Sequence, residues 1–258
     1  MWTREQLQLL LDARFSPAGV TRFLLASQRK ASRVHRGRPE LRRQSARWLT
    51  VGAMAWCALA LARVEPFRGR LRSGLGWWAL TALMLDWHLG MVETEDGRAR
   101  ALGPADALTL ARVWLAPAAL ARPTPLVCAA GFATDALDGR AARAAEPTRA
   151  GRDLEGLVDT CFAGAVLLGL RRDERIGFAA SGAELVRLVA GLSYAVAVYF
   201  GRARPPVPGL VRAARLTTPL RAGGLIAASA GRPRLGGTLV GTGCAWSAGL
   251  LVAAWRRG

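Results

Sequence analysis

The chain has 258 residues, 52% of them hydrophobic, and sets 36 basic against 18 acidic side chains, a formal net charge of +18. That apolar content excludes a disordered chain. Four cysteines (Cys57, Cys128, Cys161 and Cys244), all inside apolar stretches, exclude a disulfide scaffold and read as small buried apolar residues.

The apolar residues come in blocks with arginines between them. That is the layout of a multi-spanning membrane protein, whose helices use about 20 residues to cross about 30 Å of hydrocarbon. The expected class is therefore all-α and polytopic. Residues 1–46 form a basic segment, and the first 47 residues carry eleven Arg and Lys. This segment has no apolar core, so it does not read as a signal peptide. The positive-inside rule keeps it in the cytoplasm. It lacks aromatic interleaving and any DNA-binding motif, so no nucleic-acid partner is expected. Anionic lipid suits it better, each cation adding roughly 1 kcal/mol near such a surface. Residues 47–103 form an extra region with spans expected at 47–64 and 73–91. Residues 104–258 hold six more, at 105–121, 124–143, 153–170, 177–200, 217–231 and 235–255. Eight spans put both termini and the connections 92–104, 144–152 and 201–216 in the cytoplasm of a cell-membrane protein. The connection 65–72 disagrees mildly, placing Arg68, Arg70 and Arg72 outside. A soluble helical bundle is the competing class. Segments 177–200 and 235–255 are too long and too apolar all round for surface helices.

The chemistry lies in residues 135–159. Asp135 and Asp138 are three apart and share a helix face; Glu155 and Asp159 are four apart and share a face of the next helix. A short polar connection with Gly139, Pro147 and Gly151 joins the two. An antiparallel pair so joined brings four carboxylates together, which repel one another and need a cation. An all-oxygen set suits Mg²⁺ or Mn²⁺, with substrate phosphates completing the shell. Two such ions can clamp the attacking and leaving oxygens of a phosphoryl transfer. Arg143, at the same helix end, is placed to hold a phosphate.

These residues resemble the signature of the CDP-alcohol phosphatidyltransferases, class I. Here the signature reads Asp135-Ala-Leu-Asp138-Gly139-Arg-Ala-Ala142-Arg143, then Gly151-Arg-Asp-Leu-Glu155-Gly-Leu-Val-Asp159. A second likeness is the opening of the first core helix, with Pro104, Asp106, Ala107, Leu108, Thr109 and Arg112. A weaker one is Arg215, Leu216 and Thr217. The resemblance spans roughly 104–256 and implies a six-helix core; residues 1–103 lie outside it. Two departures stand out: Glu155 replaces the usual aspartate, and seven residues rather than eight separate Arg143 from Gly151.

The resemblance implies a transferase of phospholipid biosynthesis. A CDP-linked donor, CDP-diacylglycerol in the first instance, gives its phosphatidyl or phospho-alcohol group to a hydroxyl acceptor and releases CMP. It implies two ions, Mg²⁺ or Mn²⁺, held by Asp135, Asp138, Glu155 and Asp159, with Asp159 also the general base. Donor contacts would come from Asp106, Ala107, Leu108, Thr109, Gly139, Arg143 and Thr148. Arg112, Glu184, Arg187 and Arg215 are candidates for acceptor binding, and a homodimer is implied. Glu184 and Arg187 are also three apart within one span, so mutual pairing is the simpler reading. Asp86 and His88 do not face each other on a helix, and Trp77, Trp78 and Trp87 read as anchors or packing. The competing functions are an inactive homologue serving as a membrane scaffold and a cation-transporting protein.

Overall fold

The computed structural model describes residues 2–94, 96–144 and 148–256, without the side chains of 139–144, 152 and 153. Among the described residues the protein is all-α, with ten helices and no strand. The basic segment is helical: α1 (Trp2–Asp12) and α2 (Pro17–Gly37). Ser16 starts α2 by accepting the Gly19 N–H at 3.2 Å, with Pro17 in the first turn. Then come α3 (Pro39–Leu61), α4 (Leu71–His88) and a 3₁₀ turn (Leu89–Met91). The remaining six are α5 (Pro104–Ala121), α6 (Pro125–Ala144), α7 (Arg149–Arg172), α8 (Phe178–Tyr199), α9 (Pro208–Ser229) and α10 (Pro233–Trp255).

Every expected span falls on one of α3–α10, although several helices run beyond the apolar stretch. The expected span at 217–231 is the second half of α9, which begins at Pro208. Its first half carries Arg212 and Arg215, which hydropathy alone reads as loop. Among the described residues, only α8 and α10 are long and apolar enough to cross a membrane by length and composition. Yet large apolar side chains are exposed on every helix from α3 to α10. They include Met54, Leu80, Leu120, Leu126, Leu168, Val186, Leu216 and Trp246.

Residues 39–88 are fastened to the core by indoles. Trp56, Phe67 and Trp114 stack edge-on or tilted, with centroids 4.9–5.3 Å apart. The Trp77 indole donates to the Val113 carbonyl at 2.9 Å, Trp78 to Leu49 at 2.7 Å and Trp114 to Gly52 at 2.9 Å. Trp87 donates to Gln28 at 3.0 Å. These tryptophans therefore join α2, α3, α4 and α5.

α5 packs against both α6 and α7, which barely touch each other. The direct pairing of the two acid-bearing helices expected from their short connection is thus replaced by a three-helix arrangement with α5 in the groove. α9 and α10 approach so closely that a Cβ at Gly224 would lie 2.8 Å from the Gly236 carbonyl oxygen. A Cβ at Gly236 would lie 2.7 Å from that of Gly224. Small residues permit such backbone contact between apolar helices. Gly224→Val should therefore cost roughly 1–3 kcal/mol or more through overpacking, read as a lower midpoint in thermal unfolding. Gly223→Val one position away, where added atoms meet open space, should cost much less.

Candidate functional site

Ligand oxygens of Asp135 on α6 and of Glu155 and Asp159 on α7 lie within 4.8 Å of one another. Helical spacing explains the meeting, since Glu155 and Asp159 sit one above the other on one face of α7. Glu155 reaches the same point as the two aspartates despite its extra methylene. The fourth acid, Asp138, is not among the three whose ligand oxygens converge. Its carboxylate is buried and accepts the Thr109 hydroxyl at 2.8 Å.

Arg112 lies at the centre of the acids. It is only 1% exposed. Its Nη1 is paired with Asp159 and lies 3.5 Å from Asp135; its Nη2 lies 3.3 Å from Asp138. Its Nε donates to the Thr134 hydroxyl at 3.3 Å. Thr109 and Arg112 are three apart on α5, so one helix face delivers both into the groove between α6 and α7. Arg112, expected at the acceptor, pairs with the carboxylates.

Several expected donor contacts carry local structure. Asp106 Oδ2 accepts the Gly103 N–H at 2.8 Å and caps the start of α5. Thr148 Oγ1 accepts the Gly151 N–H at 3.0 Å and caps α7. The two caps are neighbours: a Cβ on Gly151 would meet Thr148 Oγ1 at 3.1 Å and Asp106 Oδ1 at 3.5 Å. Arg149 binds the start of α7 to the 92–103 connection through Glu93, with Nη1 2.9 Å from Oε1. Ala107 is exposed and Leu108 half-buried on α5. The side chains around Gly139 and Arg143 lie outside the described residues. Arg215 is exposed on α9, on the side where its charge acts on Glu155.

Asp135, Asp159 and Arg112 open on a cavity of about 720 Å³. Its apolar wall is α8, with Leu188, Leu192 and Val196. Arg187 and Arg221 line the same cavity. Behind them Glu184 is fully buried. It accepts both forks of Arg187 at 2.8 and 2.9 Å, Arg221 Nη1 at 2.8 Å and the Cys244 thiol at 3.0 Å. The expected pairing of Glu184 with Arg187 is thus present, and Glu184 acts as an internal anchor for two arginines. Arg221 Nε is buried without a partner among the described residues.

Sequence reasoning missed Arg221, although a cation inside an apolar span is itself a signal of a pathway or site. It also missed α1, whose Thr3 and Leu7 line the cavity. α1 is fixed by the Lys30 ammonium 4.2 Å over the Trp2 ring. Burial lowers the Lys30 pKa, against the opposing charge of Glu93. Asp86 lies 2.6 Å from His35 on α2, while His88 Nδ1 contacts the Met84 carbonyl at 2.6 Å. The two therefore make no pair with each other. Of the cysteines, Cys128 and Cys244 are buried and Cys57 half-buried, whereas Cys161 is exposed, against expectation.

Compared with protein-family models, curated proteins and solved structures, the chain matches none.

Proposed function

We propose that this protein is an integral-membrane phosphotransferase that moves a phosphatidyl or phospho-alcohol group from a CDP-linked donor to a hydroxyl acceptor, releasing CMP. The observation that carries this reading is the convergence of Asp135, Glu155 and Asp159 beside a cavity that Asp135, Asp159, Arg187 and Arg221 line. The apolar side chains exposed on α3–α10 favour a lipid surround, because soluble proteins rarely expose so much.

The residues present fit a divalent cation. All the donors are carboxylate oxygens, the set that Mg²⁺ and Mn²⁺ prefer, and Asp135, Glu155 and Asp159 would hold the first ion. Asp138 would complete the set. When bound, such ions neutralise charge on the phosphates and polarise the phosphoryl group. The remaining work falls to the chain. The acceptor hydroxyl oxygen forms a bond to the donor's β-phosphorus, and the bond from that phosphorus to the CMP oxygen breaks. Asp159 takes the hydroxyl proton; its carboxylate is partly exposed and borders the cavity. Arg187 and Arg221 favour an acceptor bearing an anionic group, since their guanidiniums are held in place from behind by Glu184. The arginines at 140, 143, 149 and 152 support a site that faces the cytoplasm, where CDP-activated donors are made.

One observation favours a non-catalytic scaffold: Arg112 already offsets part of the acidic charge. The test is CMP release by the purified protein supplied with CDP-diacylglycerol, an acceptor panel and Mn²⁺ or Mg²⁺. Excess EDTA should abolish release and added Mn²⁺ restore it. Full activity in EDTA would sink the metal-dependent reading.

A further inference from the structure

Arg112 is bound to two of the three carboxylates that a divalent ion would need. Its Nη1 is paired with Asp159 Oδ1 and sits 3.5 Å from Asp135 Oδ1. Both residues belong to the converging triad. Its other fork holds Asp138 Oδ2 at 3.3 Å, and Thr109 supports the same oxygen at 2.8 Å. The guanidinium is buried in the α5 face that fills the gap between α6 and α7. A buried cation held by these carboxylates competes with any ion that draws on the same groups. One guanidinium cannot offset four carboxylates, so the cluster retains attraction for a further cation.

We propose that Arg112 is a built-in counter-cation that keeps the metal-free acid cluster folded and competes with the divalent ion for Asp135 and Asp159. The inference rests on the metal-dependent reading above. It has two linked consequences. Metal affinity is lower than four carboxylates alone would give, because entry of the ion must displace charge-assisted hydrogen bonds. The metal-free protein is correspondingly stable, because three of its four carboxylates keep a counter-charge. Without Arg112 both consequences reverse.

The experiment measures Mn²⁺ binding by calorimetry or by the loss of the free-ion paramagnetic signal, in detergent, for the wild-type chain, Arg112→Gln and Arg112→Lys. Glutamine removes the charge at similar size. Lysine keeps a charge but loses the planar fork that reaches three partners. Arg112→Gln should bind Mn²⁺ at least tenfold more tightly than wild type, with Arg112→Lys between them. Metal-free Arg112→Gln should also melt lower than wild type and gain more from added Mn²⁺, as linkage requires of a tighter ligand. If Arg112→Gln folds only with metal, it is prepared in Mn²⁺ and its affinity read by competition with a chelator. Equal or weaker binding by Arg112→Gln would overturn the competition while leaving the metal site standing. Absence of Mn²⁺ binding in all three chains would overturn both the competition and the metal-dependent reading.

Discussion

Asp159→Asn should lower CMP release by about three orders of magnitude or more. Two roles meet in this carboxylate. It is one of three whose oxygens converge, and it borders the cavity where an acceptor hydroxyl would sit. Asparagine keeps the size but removes a charged metal ligand and the base together, and a general base alone contributes typically 10²–10⁴-fold. Glu155→Gln removes one role only and should cost about two orders. Glu155→Asp should lose activity only in part, because the shorter acid must reach a point that Glu155 now reaches with one more methylene. Melting curves of all three variants check that the fold survives. Wild-type activity in Glu155→Gln would place Glu155 outside the site.

The second large effect is on stability. Glu184→Gln should destabilise the protein by about 3–5 kcal/mol, the range for stripping one partner from a buried ion pair. Glu184 is fully buried and serves Arg187 on its own helix, Arg221 on α9 and Cys244 on α10. Losing its charge leaves two guanidiniums facing each other at the junction of three helices. Cys244→Ala removes only a weak thiol donor and should cost about 1 kcal/mol beyond its packing. Unfolding of both variants in the same detergent gives the comparison. A cost below about 1 kcal/mol for Glu184→Gln would mean that water in the cavity already solvates the arginines.

The acid triad was legible because it obeys helical arithmetic. Spacings of three and four put Asp135 with Asp138, and Glu155 with Asp159, on single faces, and a short connection turns one helix back towards the other. The all-α class was legible from apolar blocks of helix length. What stayed hidden depends on which helix enters which groove. Nothing local distinguishes Arg112 as a partner of Asp138 and Asp159 from Arg112 as an acceptor contact, because the answer is set by α5 packing between α6 and α7. That Asp138 is not among the converging three has the same origin. Helix starts were misjudged where arginines precede the apolar run. Hydropathy excludes Arg212 and Arg215, although Pro208 marks the first turn of α9. α1 and α2 escaped notice because their apolar stripes are narrow and interrupted by charge. Even so, Ser16 and Pro17 spell a helix start.

The proposed activity is acceptor-dependent transfer from a CDP-linked lipid by this acid cluster. The most direct measurement follows CMP released from CDP-diacylglycerol by purified wild-type protein and by Asp159→Asn, prepared side by side. Both would be assayed with Mn²⁺ across phosphate-bearing and neutral hydroxyl acceptors. Release should require an acceptor, favour the anionic ones and disappear in Asp159→Asn. No release with any acceptor, or equal release by the two proteins, would contradict it.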